Sequence, residues 1–578
     1  MGKHLALLLA LIFPAVLPAA THGKVVDLNG VPVSEAMVIL TKSPDVPGPT
    51  ATTVFTDAQG AFAFGADAPR GTLHVRRLGY RPVAGDVPAG DPTAGDPAAG
   101  GPAGGQPPLT LLVRPEADQS GVAPASAYLK DMTNESSRER LIMACVACHQ
   151  LPAPEVRDYA RLLDDTPQTQ TPATREAAWS AIVKQMNYVS NVEFGRAGHK
   201  VPSGENVYSG GDPAPTAALL VEGLQGPLRE VRNYSYGAPL LVTPRTRIRE
   251  YEVPAPNAIR EAVPYEGTAF LYAADVSSNR LIRIDTASGA IKDFPVPGTD
   301  LWGPHTLVPG RDGIWASPFF PGAVMRFDPH AGQWKLWRLV QDTAGPPLGI
   351  HDMSFDADHD LATDKRGRIW FSDIVGNAIG WFDPRSGKSG HFRIPPVAGR
   401  EGNEQVYGLS MSPDRRHVWY CQLGIASFGS FNVETLAFET HVEFPSPDAG
   451  PRRLSISDDG ILYIALYGAG QLAAYDTRAG RMIGVYDLPD RASAPYATTW
   501  DPVRRVVWIA TSNADAIYRF DPRTSGFAVL PLPRERGFLR MLHVDRRSGA
   551  LVTSYGNIVE HVRGPRMALL IDPGDDPT

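Results

Sequence analysis

Between residues 247 and 578, an apolar strand seven times ends in Asp or Asn and turns. The copies are Ile284-Asp285, Phe327-Asp328-Pro329, Phe382-Asp383-Pro384, Phe431-Asn432, Tyr475-Asp476, Phe520-Asp521-Pro522 and Ile571-Asp572-Pro573. Successive anchors lie 43, 55, 49, 44, 45 and 51 residues apart. Glycine usually ends the turn, as at Gly289, Gly387, Gly480 and Gly526, and a strand ending near proline follows, as at Lys292-Asp293-Phe294-Pro295. A second marker recurs inside each unit, as in Gly313-Ile314-Trp315, Arg368-Ile369-Trp370, His417-Val418-Trp419 and Val506-Val507-Trp508. A unit of this size cannot bury its own faces, so its copies must pack side by side. A period near 45 with several strands per unit predicts a β-propeller, and seven anchors predict seven blades over 247–578. The last copy has no outer strand after it, whereas Arg249-Glu250-Tyr251-Glu252-Val253-Pro254 is an orphan outer strand at the start. Pairing the two would close the ring and remove free sheet edges.

The rest of the chain divides by composition. Residues 1–20 have Lys3 and His4, then an apolar run from Leu5 to Phe13, then Ala19-Ala20. This is the pattern of an export signal, too short to span a bilayer. A periplasmic or secreted protein is expected, with no membrane span in the mature chain. Residues 23–115 alternate strand and turn around Gly30, Gly60 and Gly79, interrupted at 84–108 by a Gly/Pro/Ala/Asp tract with little to bury. Strand–turn–strand at Gly23–Val38, the turn and strand Thr56–Phe64, and Arg77-Leu78-Gly79-Tyr80 resemble the carboxypeptidase regulatory-like domain. That resemblance implies a small β-sandwich without catalysis.

Residues 123–230 are the helical part and carry Cys145-Val146-Ala147-Cys148-His149. Two cysteines two apart, followed at once by histidine, form the attachment sequence of a c-type haem. Both thiols reach one porphyrin edge while the imidazole sits under the iron. A zinc site would need a second ligand pair, but the chain has only three cysteines. Cys421 is left over and is expected to be a buried thiol. Ser136-Ser137-Arg138-Glu139 reads as a capping box for a helix running into Cys145. One covalent haem in a cytochrome c domain is therefore expected. Cys145, Cys148 and His149 would hold it, with Met186, 37 residues after His149, as the second ligand to the iron. His199 is the competing ligand.

Aligning the repeats on the inner Trp places one residue per blade at the start of the innermost strand: His305, His359, Tyr407, Arg452, Tyr496 and Arg540, with blade one near Tyr265. These would ring one mouth of the channel. The imidazoles and phenols (His305, His359, Tyr407, Tyr496) are candidate catalytic groups. Arg452 and Arg540 would bind an anionic substrate. An insertion at 345–358 would overhang the same mouth and add His351, Asp352 and Asp358.

The repeats look like the virginiamycin B lyase (streptogramin lyase) family. The best unit is His359–Asp364 with Gly367-Arg368-Ile369-Trp370-Phe371-Ser372-Asp373, where the family has Pro-His-Gly-Ile and then Gly-x-hydrophobic-Trp-Phe and an acidic residue. The resemblance implies a seven-bladed fold and puts Asp373 where the family has an acidic ligand to a divalent metal. The family's Glu two residues before its catalytic His is replaced by Ala357 and Gly303, so the lyase metal set is incomplete.

The expected fold class is thus multidomain and mainly β: a β-sandwich, a helical cytochrome c domain and a seven-bladed propeller. The net charge of −7 argues against a nucleic-acid partner. Three functions fit. One is an exported haem oxidoreductase that binds a small organic substrate at the propeller mouth and hands electrons to a redox partner protein. Another is metal-assisted β-elimination with His305 or His359 as base, and the last is a non-catalytic binding or scaffold role.

Overall fold

The computed structural model describes residues 21–65, 69–89, 108–146, 149–169, 171–195, 213–224, 228, 230–255, 257–298, 303–318, 322–339, 349–358, 360–399, 404–556 and 564–574. The expected export signal, most of the Gly/Pro tract, Cys148, His199 and His359 lie outside the described residues.

Six four-stranded antiparallel sheets follow one another along the chain from Ile259 to Pro531, each in simple up-and-down order. A seventh is built from Leu542–Val544, Leu551–Ser554, Met567–Asp572 and, from the other end of the array, Arg247–Glu252. The innermost strands touch in cyclic order, the seventh meeting the first, so the sheets form a closed ring of propeller blades. Burial follows the layers. The innermost strands Pro451–Ile456 and Pro495–Asp501 are buried throughout, whereas the outer strands Ala437–Glu443 and Arg481–Asp487 alternate between exposed and half-buried.

The recurring Asp or Asn has a local cause. Its side-chain oxygen accepts the backbone N–H groups two and three residues on, as in Asp285 with Ala287 and Ser288, Asn432 with Glu434 and Thr435, and Asp476 with Arg478 and Ala479. This locks the hairpin between the third and fourth strands. The residue four past the anchor takes φ between +53 and +72°, at Gly289, Gly387 and Gly480, and also at Leu436 and Ser525 where glycine is absent.

Arg247–Glu252 has a second partner. Its other edge pairs with Ala51–Phe55, so the seventh blade continues into an N-terminal sheet of Ala51–Phe55, Met37–Lys42, Gly71–Arg76 and Val87–Ala89. A further sheet (Ala61–Ala63, His22–Asp27, Leu109–Pro115, Tyr80–Pro82) shares a core with it through Val25, Val38, Leu40, Phe62, Leu73 and Leu111. Among the described residues four α-helices follow: α1 (Glu135–Cys145), α2 (Pro154–Asp165), α3 (Pro172–Gly195) and α4 (Pro213–Gly223). The cap of α1 is Asn134, whose side chain accepts from Ser137 N–H, rather than Ser136. Glu139, expected to complete a capping box, instead accepts from Ser446 and lies 3.6 Å from Arg491, both on the propeller. Among the described residues no helix is long and apolar enough to cross a membrane.

The shared strand makes one substitution report on both halves. Ile248 is fully buried and pairs with Thr53 on one side and Ile571 on the other. Ile248→Ala should cost about 2–5 kcal/mol. It should also expose the N-terminal sheets and the seventh blade to proteolysis together. Denaturant unfolding with limited digestion would show this as one transition; separate transitions would uncouple the halves.

Candidate functional site

Seven side chains converge at one end of the channel. Arg260, His305, His351, Tyr407, Arg452 and Tyr496 are each the second residue of an innermost strand, and Arg540 lies just ahead of the seventh. The pairing register breaks at this position in all six complete blades. Such bulges turn a side chain off the normal alternation and often border functional sites. None of the seven is more than 6% exposed, so this chamber is a packed cluster closed to solvent and not the open channel mouth expected from the sequence.

The placement corrects the repeat alignment at two blades. In blade three the innermost strand is Ile350–Met353, so His351 holds the ring position assigned to His359. The cause is an extra hairpin, bridged at Phe355–Leu361 and Thr363–Ile369, that lengthens the distance to Trp370. Asp358 is consequently at the opposite end of the channel. In blade one the ring residue is Arg260, not a residue near Tyr265, which sits at the far end. Tyr272 replaces the marker Trp there, and counting twelve residues back from it, as from Trp419 to Tyr407, would have found Arg260.

Contacts within the chamber are short. The Tyr407 and Tyr496 hydroxyls are 2.5 Å apart, and Arg452 donates to Tyr407 Oη at 3.2 Å. Arg540 and Arg260 reach Tyr496 Oη at 3.4 and 3.5 Å, and the Arg452 guanidinium lies 4.0 Å over the Tyr496 ring. The His351 and Tyr407 rings are 3.6 Å apart, and those of His305 and His351 4.9 Å. Burial, with nearby arginines, holds His305 and His351 well below the usual histidine range, as neutral imidazoles. Burial alone would raise the Tyr496 hydroxyl; Arg452, Arg260, Arg540 and Arg453 outweigh it and bring it down to about 6.

A second layer lies beneath. Arg453 donates to Asp352 at 2.6 and 3.1 Å, to Glu261 at 2.7 Å and to the Arg540 carbonyl at 3.2 Å, tying four blades across the axis. All three charged side chains are at most 2% exposed. Burial raises Asp352 to about 7, with Arg453 pulling against it and Glu261 adding to it. Arg453 escaped the sequence reading because a regular strand would turn it away from its neighbour Arg452; the bulge lets both face the channel. Beyond this layer, a cavity of about 470 Å³ opens at the other end, lined in part by Tyr265, Arg311, Asp358, Asp360, His543 and Arg546.

The segment that carries Cys145, Val146 and His149 sits on the chamber end. Tyr467, whose ring lies 4.2 Å beneath Arg452 and 5.8 Å from Tyr496, donates its hydroxyl to the Val146 carbonyl. Asn513 of blade six exchanges hydrogen bonds of 2.9 Å with the Leu151 backbone in both directions, and Gln150 donates to Asp515 at 2.8 Å. Met143 of α1 packs where a Cβ on Gly450 or Gly468 would collide with it. Cys145 is a half-buried free thiol at the end of α1. His149 Nδ1 lies 2.7 Å from the Gln150 carbonyl, which only accepts, so the proton is on Nδ1 and Nε2 keeps its lone pair. Burial keeps that imidazole neutral. This is the state in which an imidazole can ligate a haem iron.

Other expected ligands are placed differently. Met186 lies on α3, 46% exposed. Asp373 uses Oδ1 to accept from Gly349 and Gly376 at 2.9 Å, fixing the entry to the innermost strand of blade three. Asp275 does the same in blade one through Ala258, so in these two blades the carboxylate locks the turn. Cys421 is fully buried in blade four, where burial pushes its thiol well up.

Residues 20–98 match the carboxypeptidase regulatory-like domain family. The chain is similar to a solved streptogramin B lyase: 17% identity, 56% of this chain and 97% of that one covered, TM-score 0.46. It is also similar to virginiamycin B lyase from Staphylococcus aureus: 16% identity, 56% and 98% covered, TM-score 0.46. No curated protein matches the sequence.

The Arg453 clamp makes a specific prediction. Arg453→Met leaves Asp352 and Glu261 buried without their guanidinium and should destabilise by about 3–5 kcal/mol. Because the folded-state Asp352 titrates near 7 against an ordinary 3.8, its contribution to stability is full below 3.8 and lost as pH rises through 7. The variant should therefore weaken further over that range. Adding Asp352→Asn and Glu261→Gln should recover much of the loss. Denaturant curves at several pH values would decide, and a single variant as stable as wild type would remove the clamp.

Proposed function

We propose that this chain is an exported c-type haem redox protein whose channel chamber binds a small organic anion beside the haem. Cys145 and Cys148 would form the two thioethers, His149 Nε2 would ligate the iron, and Met186 would be the second ligand. When bound, the haem supplies a one-electron acceptor. The propeller's own residues bind and orient: Arg260, Arg452 and Arg540 attract a carboxylate or enolate, while Tyr407, His351 and His305 hydrogen-bond or stack on it. His305 and His351, held neutral, can each take up a proton. Electrons would leave through the haem to a partner protein.

The observation carrying this reading is the Tyr467 hydroxyl on the Val146 carbonyl, inside the attachment sequence and one ring away from Tyr496. The chamber beside that contact has three arginines and no carboxylate among its seven ring residues. Such a concentration of buried positive charge is costly unless an anion answers it.

A denaturing gel stained for haem should show covalent pigment at the full chain mass, lost in Cys145→Ala and Cys148→Ala. Anaerobic visible spectra should show haem reduction on adding a small organic acid that the chamber accepts. Arg452→Ala and Arg260→Ala should each weaken that binding by about 1.5–3 kcal/mol without changing haem content. Absence of covalent pigment from cells equipped for haem attachment would sink the proposal.

A further inference from the structure

The hairpin inserted in blade three plays no part in the chamber. It folds over the opposite end of the channel. The Leu361 amide donates to the Pro309 carbonyl of blade two at 2.7 Å, and the Phe355 carbonyl accepts from the Met411 amide of blade four at 2.9 Å. Both neighbours thus fix its base. Its turn is held by Asp356, which accepts the Asp358 and Asp360 amides at 3.0 and 3.3 Å. From that turn Asp358 and Asp360 reach blade seven, where they lie 2.8 and 3.1 Å from the Arg546 guanidinium. The cavity of about 470 Å³ lies beside this bridge and has the size of a small-molecule site.

Its lining carries both signs of charge. Glu266 follows the innermost strand of blade one and Arg311 that of blade two; both are exposed and both line the cavity. Among the described residues neither forms an ion pair. Each acts on Asp360 and on Arg546, so the two stand near one spot. Arg546 is shared between two aspartates, which leaves Asp360 short of positive charge. Burial, Asp356 and Glu266 raise it to about 7, with Arg311 pulling against them. Pro264, Pro309 and Val544 add apolar surface, and His543 is a neutral imidazole.

We propose that this cavity binds a small zwitterion, an α-amino acid with an apolar side chain. Asp360 and Glu266 take its ammonium, Arg311 takes its carboxylate, and its side chain lies against Pro264, Pro309 and Val544. A metal ion would leave Arg311 unanswered, and a simple anion would face Glu266 and two aspartates. The site needs neither the haem nor the chamber, from which the Arg453 clamp separates it.

The test is isothermal titration calorimetry of the full chain with L-leucine and L-phenylalanine. Each is compared with the amine that lacks its carboxylate and the acid that lacks its ammonium. At least one amino acid should bind one to one, and both its analogues at least about tenfold more weakly. Asp360→Asn and Arg311→Ala should each weaken binding by about tenfold or more, whereas Arg452→Ala in the chamber should not. An ammonium favours ionised Asp360, so wild-type affinity should rise as pH rises through about 7. That rise should be absent in Asp360→Asn. Should a variant fail to fold, the analogues and the wild-type pH dependence still decide. The site is overturned if neither amino acid binds, if an amine or acid binds as tightly as its amino acid, or if Asp360→Asn binds as wild type does. Loss of binding in Arg452→Ala alone would move the ligand to the chamber and also overturn it. A chain without covalent haem would fail the redox reading and leave every one of these measurements standing.

Discussion

Everything in this molecule hangs on a six-residue strand with two partners. Arg247–Glu252 donates one edge to the last blade and the other to the N-terminal sheets. A propeller whose ends are not joined leaves two strand edges open to pairing with other chains. Here the closing strand has no free edge, because the N-terminal domain covers what closure leaves. Glu250, fully buried in the strand, pairs with Arg534 at 2.9 Å. Arg534 lies in the segment leading to the last innermost strand, next to the loop that Glu155 of α2 reaches through Arg536. The three parts of the chain therefore meet at the seventh blade, which fixes the position of the helices over the channel.

That position brings buried charge and the attachment segment together. The second layer of the channel is internally balanced, with Arg453 set against Asp352 and Glu261. The first layer is not: Arg260, Arg452 and Arg540 face neutral imidazoles and phenols. In a low dielectric such an excess pulls the most acidic neighbour toward ionisation, and the only group able to respond is a phenol. The depressed Tyr496 is thus a consequence of where the arginines stand. A chamber that still holds more positive than negative charge remains suited to a second, exchangeable anion.

Much of this was legible in the sequence, and the rest was hidden for physical reasons. The blade count could be read because each hairpin needs a side-chain oxygen to satisfy its own turn amides, so Asp285, Asn432 and Asp476 announce themselves. The ring could be read because Tyr407, Arg452 and Tyr496 stand at nearly constant distance from an inner aromatic residue. His351 was misplaced because a hairpin was inserted within its blade, which changes spacing without changing topology. Arg453 stayed hidden because a bulge breaks the alternation on which strand reading depends. Glu139 looked like a cap because local spacing cannot reveal that Ser446 and Arg491 compete for its carboxylate across 300 residues. Local spacing could not reveal that Asp373 Oδ1 takes the amides of Gly349 and Gly376.

The two ends of the channel differ in kind. At the chamber end, side chains fill the space and the attachment segment covers it. At the other end lies the 470 Å³ cavity, with Asp358 and Asp360 both paired to Arg546. Between them stand His543, which burial and Arg453 push down to about 3, and the Arg453 clamp. A molecule small enough for the cavity would therefore meet a neutral imidazole and a closed ion-pair layer before reaching Tyr407. Opening that route means parting Arg453 from Asp352 or Glu261, each a buried contact whose loss strands a charge. On the side of Val146 the chamber is held by hydrogen bonds, Tyr467 to Val146 and the reciprocal pair between Asn513 and Leu151, and by Glu139 against Ser446 and Arg491.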